Sequence, residues 1–310
     1  MGLSLNKVVK PQTEALNKHA IMFSVDQSPT KRLYVEGKKR NLSRKDVVYM
    51  LNNMKKIRKL PFTMVKTVKL IKNDQTPIKK HMTRETFDAF DQLLTSLGVD
   101  EYGFFKIEPE HLFKGSGVPH KYALVFSSGM EKNAFETAPS IQCQLEVARV
   151  YSETGNIANK VAEFLQKKGY GASPNHSMGG QLDYSMAAER AGIAVTGRHS
   201  MAITKKNGPC NRISVVYTNI ENLGDFIGHK NDDMLWIKEF CQKCGKCQRK
   251  CPTGAILKEP VIIDGFNPTG IEYDKCAEGF ANYGCGICIK ECPFTMGSYK
   301  TIEAAYMKIK

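Results

Sequence analysis

The sequence lacks any run of about 18 apolar residues, the length that a membrane-spanning helix requires. The start of the chain has no apolar segment of the kind found in secretory signals, and no Arg-Arg pair occurs anywhere, so a twin-arginine signal is not expected either. Low-complexity tracts are lacking, and so are repeats outside the cysteine motifs. These absences predict a globular protein that works in the cytoplasm and does not contact a membrane.

Acidic residues are scarce in residues 1–80, which contain 5 Asp+Glu against 19 Lys+Arg. The balance of this segment, +14, equals the formal net charge of the whole chain. A basic block of this size can attract RNA, an acidic electron-carrier protein or an anionic membrane surface, or it can form a solvated face. Its aromatic residues are too sparse to make a convincing platform for stacked bases, which argues against RNA without removing it from the alternatives.

Cysteine is concentrated near the end of the chain, where eight of the ten cysteines follow residue 240. Residues 241–252 have the spacing C-x2-C-x2-C-x3-C-P, and a second set in residues 276–293 also ends in Cys-Pro. This pattern is typical of proteins with two 4Fe–4S clusters, in which the fourth cysteine of each set binds the other cluster. Zinc sites and disulfides are the alternatives. The predicted ligands of one cluster are Cys241, Cys244, Cys247 and Cys292, and those of the other are Cys251, Cys276, Cys285 and Cys288.

The rest of the chain predicts a layered α/β or α+β fold. Residues 122–128 and 212–220 have strand character, and the apolar periodicity between them predicts one long helix or two joined ones. Two earlier stretches, KDVVYMLNNMKKI and MTRETFDAFDQLLTSLG, predict amphipathic helices whose apolar stripes belong to a core. We expect three regions: a basic region of unknown role in residues 1–115, an α/β core in 116–235, and the cysteine-rich domain in 236–310.

Several segments resemble the corrinoid-dependent reductive dehalogenases. They are KYALVFSSGMEKNAFETAPS, VYSETGNIANKVAEFLQKKGYGASP, AERAGIAVTGRHSMAITKKNGPCNRISVVYTNIENL and DKCAEGFANYGCGICIKECPF, which together cover roughly residues 118–296. The epoxyqueuosine reductases, which act on tRNA, are similar in architecture. Residues 1–115 resemble neither group.

The resemblance implies a nitroreductase-like core that binds cobalamin with its base detached from cobalt, followed by a ferredoxin-like domain with two 4Fe–4S clusters. The sequence has no Asp-x-His-x-x-Gly motif, so no histidine is expected to bind cobalt; His199 should instead bond to a backbone carbonyl or a corrin amide. The residues that the resemblance places at the corrinoid are Tyr184, Gly197, Arg198, His199 and Ser200.

The resemblance also implies that Tyr151 donates a proton to the substrate. A phenol has an ordinary pKa of about 10, so it is protonated at neutral pH, and a nearby cation can stabilise the phenolate. The family's Gly-Pro-Arg-x-Arg segment reads GPCNR here, so Cys210 replaces the first arginine and Arg212 keeps the second. We expect Arg212 to be catalytic, and Arg198, Lys205 or Lys206 to compensate for the lost arginine.

The expected function is therefore that of a reductive dehalogenase-like enzyme with an organohalide substrate and a soluble donor such as ferredoxin or flavodoxin. Three alternatives stay open. One is an epoxyqueuosine reductase-like enzyme that binds tRNA through residues 1–80. Another is a non-catalytic iron–sulfur protein that transfers electrons or reduces a corrinoid. The third is a flavin in place of the corrinoid.

Overall fold

The computed structural model describes residues 5–30, 42–74, 77–228, 232–263 and 267–308. The helices are α1 (Leu5–Lys18), α2 (Arg44–Ile57), α3 (Leu60–Lys72), α4 (Arg84–Ser96), α5 (Lys132–Glu136), α6 (Ile141–Lys167), α7 (Tyr184–Arg190), α8 (Trp236–Cys244), α9 (Lys246–Arg249), α10 (Tyr273–Tyr283), α11 (Ile287–Lys290), α12 (Pro293–Met296) and α13 (Tyr299–Met307). The strands are β1 (Met22–Phe23), β2 (Glu101–Lys106), β3 (Gly117–Val118), β4 (Tyr122–Gly129), β5 (Ala172–Asn175), β6 (Val195–Thr196), β7 (Ala202–Ile203), β8 (Asn211–Thr218), β9 (Ile256–Ile263) and β10 (Asn267–Ile271). Within these ranges, no helix is long and apolar enough to cross a membrane.

A four-stranded sheet with the order β2-β4-β8-β5 forms the centre of the fold. All its neighbouring strands are antiparallel, so the fold is α+β rather than an α/β fold with a parallel sheet. Alternate residues of β4 enter two different cores, since Leu124 and Phe126 pack on one face and Ala123 and Val125 on the other. Both faces of the sheet are therefore covered by helices.

The long helix expected between the two central strands is confirmed as α6, which packs on the sheet through Ile157, Val161 and Leu165. Ser140 begins this helix by accepting a hydrogen bond from the backbone N–H of Cys143. On the opposite face, α7 and α1 contribute small and branched apolar side chains to the second core. The central sheet thus fixes the position of α6. The sequence pattern alone predicted both this helix and the two strands β4 and β8.

The two amphipathic helices expected in the first region form, but only one of them is buried. The apolar stripe of α4 enters the core through Phe87, Phe90 and Leu94, as predicted. The stripe of α2 does not, because α2 has no buried residue and its Leu51 is 68% exposed. A capping box between Ser43 and Asp46 still fixes the start of α2. Local sequence decides that a helix forms, whereas burial depends on another element that packs against it.

The boundary expected near residue 116 does not separate two bodies. Strand β2 pairs along its whole length with β4, so the central sheet contains residues from both sides of this boundary. Helix α1 adds Leu16 to the core under the sheet, and α3 packs against α6. The described part of the basic region therefore belongs to the same folded unit as the core, because strand pairing joined segments that the sequence pattern treated as separate.

An aromatic cluster organises the cysteine-rich domain and fixes it to the core. Trp236 stacks on Tyr306 and donates a hydrogen bond from its indole N–H to the hydroxyl of Tyr299 at 2.9 Å. The same cluster packs against Val195 and Ile203 of the core. The domain is therefore anchored beside the 197–200 turn, which follows β6.

Candidate iron–sulfur and active site

The predicted ligands of one cluster, Cys241, Cys244, Cys247 and Cys292, are called the first set from here on, and the ligands of the other cluster are called the second set. The first set lies on or beside short helices. Gly245 adopts a left-handed conformation, with φ of 52°, where α8 ends and α9 begins, and this turn brings the cysteines of both helices together. Burial, followed by the proximity of Cys241 and Cys244, raises the pKa of Cys247 to about 11. Burial also raises the pKa of Cys292, and the same three thiols add to that shift. The four cysteines predicted to share one cluster are therefore near enough to influence one another's ionisation.

The second set is arranged in the same way. Gly284 ends α10 in a left-handed conformation, with φ of 62°, just before Cys285. Burial, and then the nearby Cys285 and Cys251, raise the pKa of Cys276 to about 11. Burial raises the pKa of Cys288 well above its ordinary value, and thiols of both sets, including Cys247, contribute. The two sets therefore adjoin each other at Cys288.

The chemistry of these groups fits two iron–sulfur clusters. Mutual repulsion between neighbouring thiolates opposes their ionisation, and bound iron would reverse that preference because thiolate is the form that binds a metal. Eight thiols in two groups of four supply the ligands that two cubanes need, one thiolate for each iron. In the ranges that the structure describes, no three Cys, His, Asp or Glu side chains converge closely enough to share a single metal ion. The assignment of each cysteine to a cluster stays a prediction.

Tyr151 and Arg212 lie against each other. Tyr151 is half-buried on α6, and the guanidinium carbon of Arg212, on β8, lies 5.4 Å from the centre of the Tyr151 ring. Arg212 donates from Nη1 to the backbone carbonyl of Asn211 at 2.9 Å. Its Nε is buried and has no hydrogen-bond partner among the described residues. A cation at this distance attracts the ring and would stabilise a phenolate more strongly than a neutral phenol.

The second cysteine set lies next to this pair. Cys288 and Tyr151 pack against the same apolar cluster, which includes Cys143 and Cys210. Cys143 is so close to Gly286 that a Cβ on that glycine would lie 2.6 Å from the Cys143 Sγ. Only glycine allows this approach of α6 to the cysteine-rich domain. The second set and Tyr151 are therefore connected through one apolar cluster.

His199 presents an unpartnered N–H in the 197–200 turn. Its Nδ1 accepts a hydrogen bond from the backbone N–H of Met201 at 3.2 Å, so the proton of the neutral ring is on Nε2. That Nε2 is buried and has no partner in the described part of the chain. Burial lowers the pKa of His199 to about 4, which keeps the ring neutral. The expected bond to a backbone carbonyl is therefore wrong, whereas an unpartnered donor fits an external acceptor such as a corrin side-chain amide.

Two other residues of this turn are fixed by the backbone. The backbone N–H of Ser200 donates to the carbonyl of Gly197 at 2.8 Å, and Ser200 has a φ of 58°. The Ser200 hydroxyl accepts from the backbone N–H of Gly270 at 3.0 Å. A Cβ on Gly197 would lie 2.7 Å from Ile203 Cδ1. The turn is thus held by the hydrogen bond to Gly270 of β10 and by its close contact with Ile203.

Arg198 points toward the cysteine-rich domain. It donates to the backbone carbonyls of Cys241 and Gln242, each at 3.1 Å, and to that of Lys258. Lys205 pairs with Asp233 instead, and Lys206 pairs with Asp100 at 2.5 Å. None of these three cations takes the place expected for it beside Tyr151, because each has a partner elsewhere. Arg212 itself occupies that place.

Tyr184 also has an internal partner. Its hydroxyl donates to the carbonyl of His176 at 3.1 Å. The neighbouring residues Asn175, His176 and Ser177 are all buried in a hydrogen-bonded segment. These contacts orient the segment rather than leave its side chains open to a ligand.

Helices α1 and α3 of the first region also support this segment, which the sequence pattern did not predict. Gln12 on α1 donates to the carbonyl of Gly179 at 2.6 Å and accepts from the backbone N–H of His176 at 2.9 Å. Thr63 on α3 lies within 3.2 Å of the His176 ring nitrogen Nε2. Met64, also on α3, packs in a cluster that touches Tyr151. No motif signals these contacts, since they join residues more than 80 positions apart in the chain.

The fold and the cysteine sets together define an α+β protein with a ferredoxin-type domain. Residues 240–296 match the family described as a 4Fe-4S dicluster domain. The chain is related to the tetrachloroethene reductive dehalogenases, as its motifs indicated: it is 31% identical to the enzyme of Desulfitobacterium hafniense over 234 residues, which is 70% of this chain and 41% of that protein. The chain thus spans about two fifths of that relative's length. Because the 234 matched residues outnumber those of 116–310, the similarity extends into residues 1–115, and the expectation that this region resembles neither group is wrong.

Two further comparisons agree with this relationship. A solved reductive dehalogenase, whose structure concerns B12-dependent dehalogenation, matches 95% of this chain and 45% of its own with a TM-score of 0.64 and 19% identity, which shows a shared fold. The epoxyqueuosine reductase of Listeria monocytogenes is 29% identical over 126 residues, 38% of this chain and 31% of that protein. Both groups of relatives are oxidoreductases.

Proposed function

We propose that this chain is a corrinoid- and iron–sulfur-dependent reductase that replaces the halogen of an organohalide by hydrogen, with Tyr151 as the proton donor. The observation that supports this proposal best is the pair of Tyr151 and Arg212, which lies beside the second cysteine set. Similarity to the reductive dehalogenases favours the same reaction. The net change consumes two electrons and one proton; the carbon–halogen bond breaks, the halide leaves with the bonding pair, and carbon gains hydrogen.

The residues of the chain divide this work. The eight cysteines hold two 4Fe–4S clusters, and the set that contains Cys288 is the one closer to the substrate. The Tyr151 hydroxyl supplies the proton, and Arg212 stabilises the phenolate that remains. Because both groups are partly buried, their interaction is stronger than it would be in water.

The corrinoid would lie against the 197–200 turn and would supply a strongly reducing metal centre when bound. His199 would donate from Nε2 to a side-chain amide of that group, and Gly197 would let the turn pack closely. Ser200 and Tyr184 shape the same region, while Arg198 ties the turn to the first cysteine set. The nitroreductase-like character of the core and the cytoplasmic location stay part of this proposal.

A cofactor and product measurement tests the proposal. The chain is produced anaerobically with cobalamin, its clusters are reconstituted, and iron, sulfide, cobalt and flavin are determined for each chain. About eight irons, as two cubanes require, and one cobalt per chain, together with halide release from a brominated phenol under a low-potential reductant, would support the proposal. Eight irons with flavin and no cobalt would overturn the corrinoid assignment, and iron alone would indicate an electron carrier.

A second candidate, reduction of a modified base in tRNA, is favoured by the shorter similarity to epoxyqueuosine reductases and by the basic residues 1–80. Salt-sensitive binding of the full chain to tRNA, with turnover of epoxyqueuosine and no halide release, would support it. The extent of the similarity argues against it, because the epoxyqueuosine reductase matches 38% of this chain whereas the reductive dehalogenase matches 70%.

A further inference from the structure

The segment of residues 241–252, called the basic loop below, contains Cys241, Cys244 and Cys247 of the first set and is strongly basic. Residues 241–252 contain four basic residues and no acidic one. The side chains of all four basic residues are exposed, and they are Lys243, Lys246, Arg249 and Lys250. Positive charge therefore surrounds the cysteines of this set on the protein surface.

Only half of this charge is neutralised by neighbours. Lys243 pairs with Glu239 at 2.8 Å, and Lys246 pairs with Glu291 at 3.0 Å. Arg249 and Lys250 form no ion pair with any residue that the structure describes. They follow one another at the end of α9, immediately before Cys251. This unpaired charge is available to a partner.

The position of the loop indicates how electrons enter. The second set packs with Tyr151 through Cys288, whereas the first set packs with the aromatic cluster of Trp236 on the cysteine-rich domain. The two sets meet where Cys288 approaches Cys247. An electron that moves from the surface to Tyr151 would therefore enter at the first set and leave from the second.

We propose that the exposed basic loop, residues 241–252, is the docking site for a small acidic electron-carrier protein of the ferredoxin class. In each encounter the reduced carrier loses one electron and the first cluster gains it, with no bond made and no proton transferred. The proposal rests on the clusters of the proposed function but not on its substrate. Opposite charges on the two proteins speed their encounter and orient the two redox centres.

RNA is the other polyanion that such a loop could attract, but the loop lacks what RNA recognition uses. Residues 241–252 contain no aromatic side chain on which a base could stack. A carrier protein requires complementary charge close to a redox centre, and the basic loop also contains three of the predicted ligands of the first cluster.

The test measures electron entry alone, without corrinoid or organohalide. The full chain with reconstituted clusters is mixed in a stopped-flow spectrometer with a reduced acidic plant-type ferredoxin, and loss of cluster absorbance gives the second-order rate constant. Reduced methyl viologen, a small cation, is the control reductant. The variant Arg249→Glu/Lys250→Glu is compared with Lys69→Glu/Lys72→Glu, which makes the same charge change on α3 within the basic block of residues 1–80.

We expect the loop variant to react with ferredoxin about tenfold more slowly than the parent at low ionic strength, and the difference to shrink as salt is added. Reduction by viologen should not slow. The α3 variant should react with ferredoxin as the parent does. Arg249→Gln/Lys250→Gln should give an intermediate rate, and it replaces the first variant if iron and sulfide analysis shows that the first variant does not assemble its clusters.

Equal rates in the parent and both loop variants would overturn the proposal, as would a loss of rate in the α3 variant alone. Charge-dependent binding of tRNA to the loop, with unchanged reduction by ferredoxin, would also overturn it. A chain that accepts electrons in this charge-dependent way but releases no halide would leave the docking site standing and refute only the dehalogenation.

Discussion

The chemistry proposed for Tyr151 depends on two side chains that are 61 positions apart in the sequence. Arg212 is fixed by β8 and Tyr151 by α6, so the sheet and the helix that covers it set their separation. The cation favours the charged phenolate that proton donation would leave. Cys210, which replaces an arginine in the resemblance, is fully buried and its Sγ lies 3.5 Å from the carbonyl oxygen of Met130. Arg212 is therefore the cation that lies beside the Tyr151 ring.

Replacing Tyr151 by Phe should slow halide release by about a hundredfold or more, because general acid catalysis contributes that much. The clusters should still be reduced at the parent rate, since the ring remains and only the hydroxyl is lost. Tyr170→Phe is the matched control: its hydroxyl donates to the carbonyl of His81 and it is remote from the cysteine sets. The steady-state rate of halide release by both variants checks this prediction. A parent-like rate in Tyr151→Phe would show that the proton has another source.

Acid should destabilise the fold through His176. Burial lowers its pKa to about 4 from an ordinary value of 6.5, so the native ring stays neutral while the unfolded chain binds a proton below pH 6.5. Stability is therefore lost as the pH falls through this window, by about 3 kcal/mol for the full shift. Urea unfolding at neutral pH and at about pH 5 should show a smaller loss in His176→Gln than in the parent. His81→Gln, at an exposed histidine, should behave as the parent does.

Among the elements, α6 contains a glycine that helix propensity alone would not choose. Gly155 lies in the middle of the helix, where glycine costs about 1 kcal/mol relative to alanine. A Cβ at this position would lie 2.3 Å from the Cδ2 and Nε2 atoms of His176. The close approach of the imidazole therefore outweighs the helix propensity.

Gly155→Ala should destabilise the protein by about 1–3 kcal/mol, because the added methyl group overpacks a closely packed site. The free energy of unfolding in urea measures the effect. In the double variant with His176→Ala, the methyl group has room, and part of the loss should be recovered. A stabilised Gly155→Ala variant would mean that the helix and the imidazole are not in contact.

The 197–200 turn and α8 are joined by Arg198, whose guanidinium bonds to three carbonyls of the cysteine-rich domain. Arg198→Lys keeps the charge, but an ammonium cannot span the three acceptors. We expect a loss of about 1–3 kcal/mol in the free energy of unfolding and faster loss of iron to a chelator. Arg190→Lys, at an exposed arginine, is the control. Unchanged iron retention with weaker corrinoid binding would instead assign Arg198 to the cofactor.

For the whole molecule, the metal and the fold should depend on each other. Helices α9 and α11 have four residues each, too few to form a stable helix alone, and both lie between predicted cluster ligands. The central sheet has its own cores on both faces. Iron would therefore stabilise the cysteine-rich domain while the sheet remains folded without it.

Removal of iron should raise amide hydrogen exchange in α9 and α11 well before it does so in β4 and β8. Mass spectrometry of peptides from the iron-loaded and iron-free chain measures this difference. Cys143→Ser, at a cysteine outside the two sets, should keep both clusters, since it removes no predicted ligand. Equal exchange with and without iron in α9 and α11 would show that these helices do not depend on the clusters.

Several features could be predicted from the sequence because their causes are local. The long α6 and the strand character of β4 and β8 follow from periodicity within short windows. The antiparallel order of the sheet, the entry of β2 into it and the exposure of α2 could not, because they depend on pairing between distant segments. The resemblance indicated Tyr151 and Arg212, but not their contact.

The sequence by itself determined the two cysteine motifs and the relationship to reductive dehalogenases, since both reside in the spacing and identity of neighbouring residues. Only the tertiary structure decided which cation meets Tyr151, where Arg198 points and which cysteine set adjoins the site. A side chain's reach is set by its own length, whereas its partner is set by how the sheet, α6 and the cysteine-rich domain pack. Spacing along the chain contains no information about that packing when the partners lie dozens of residues apart.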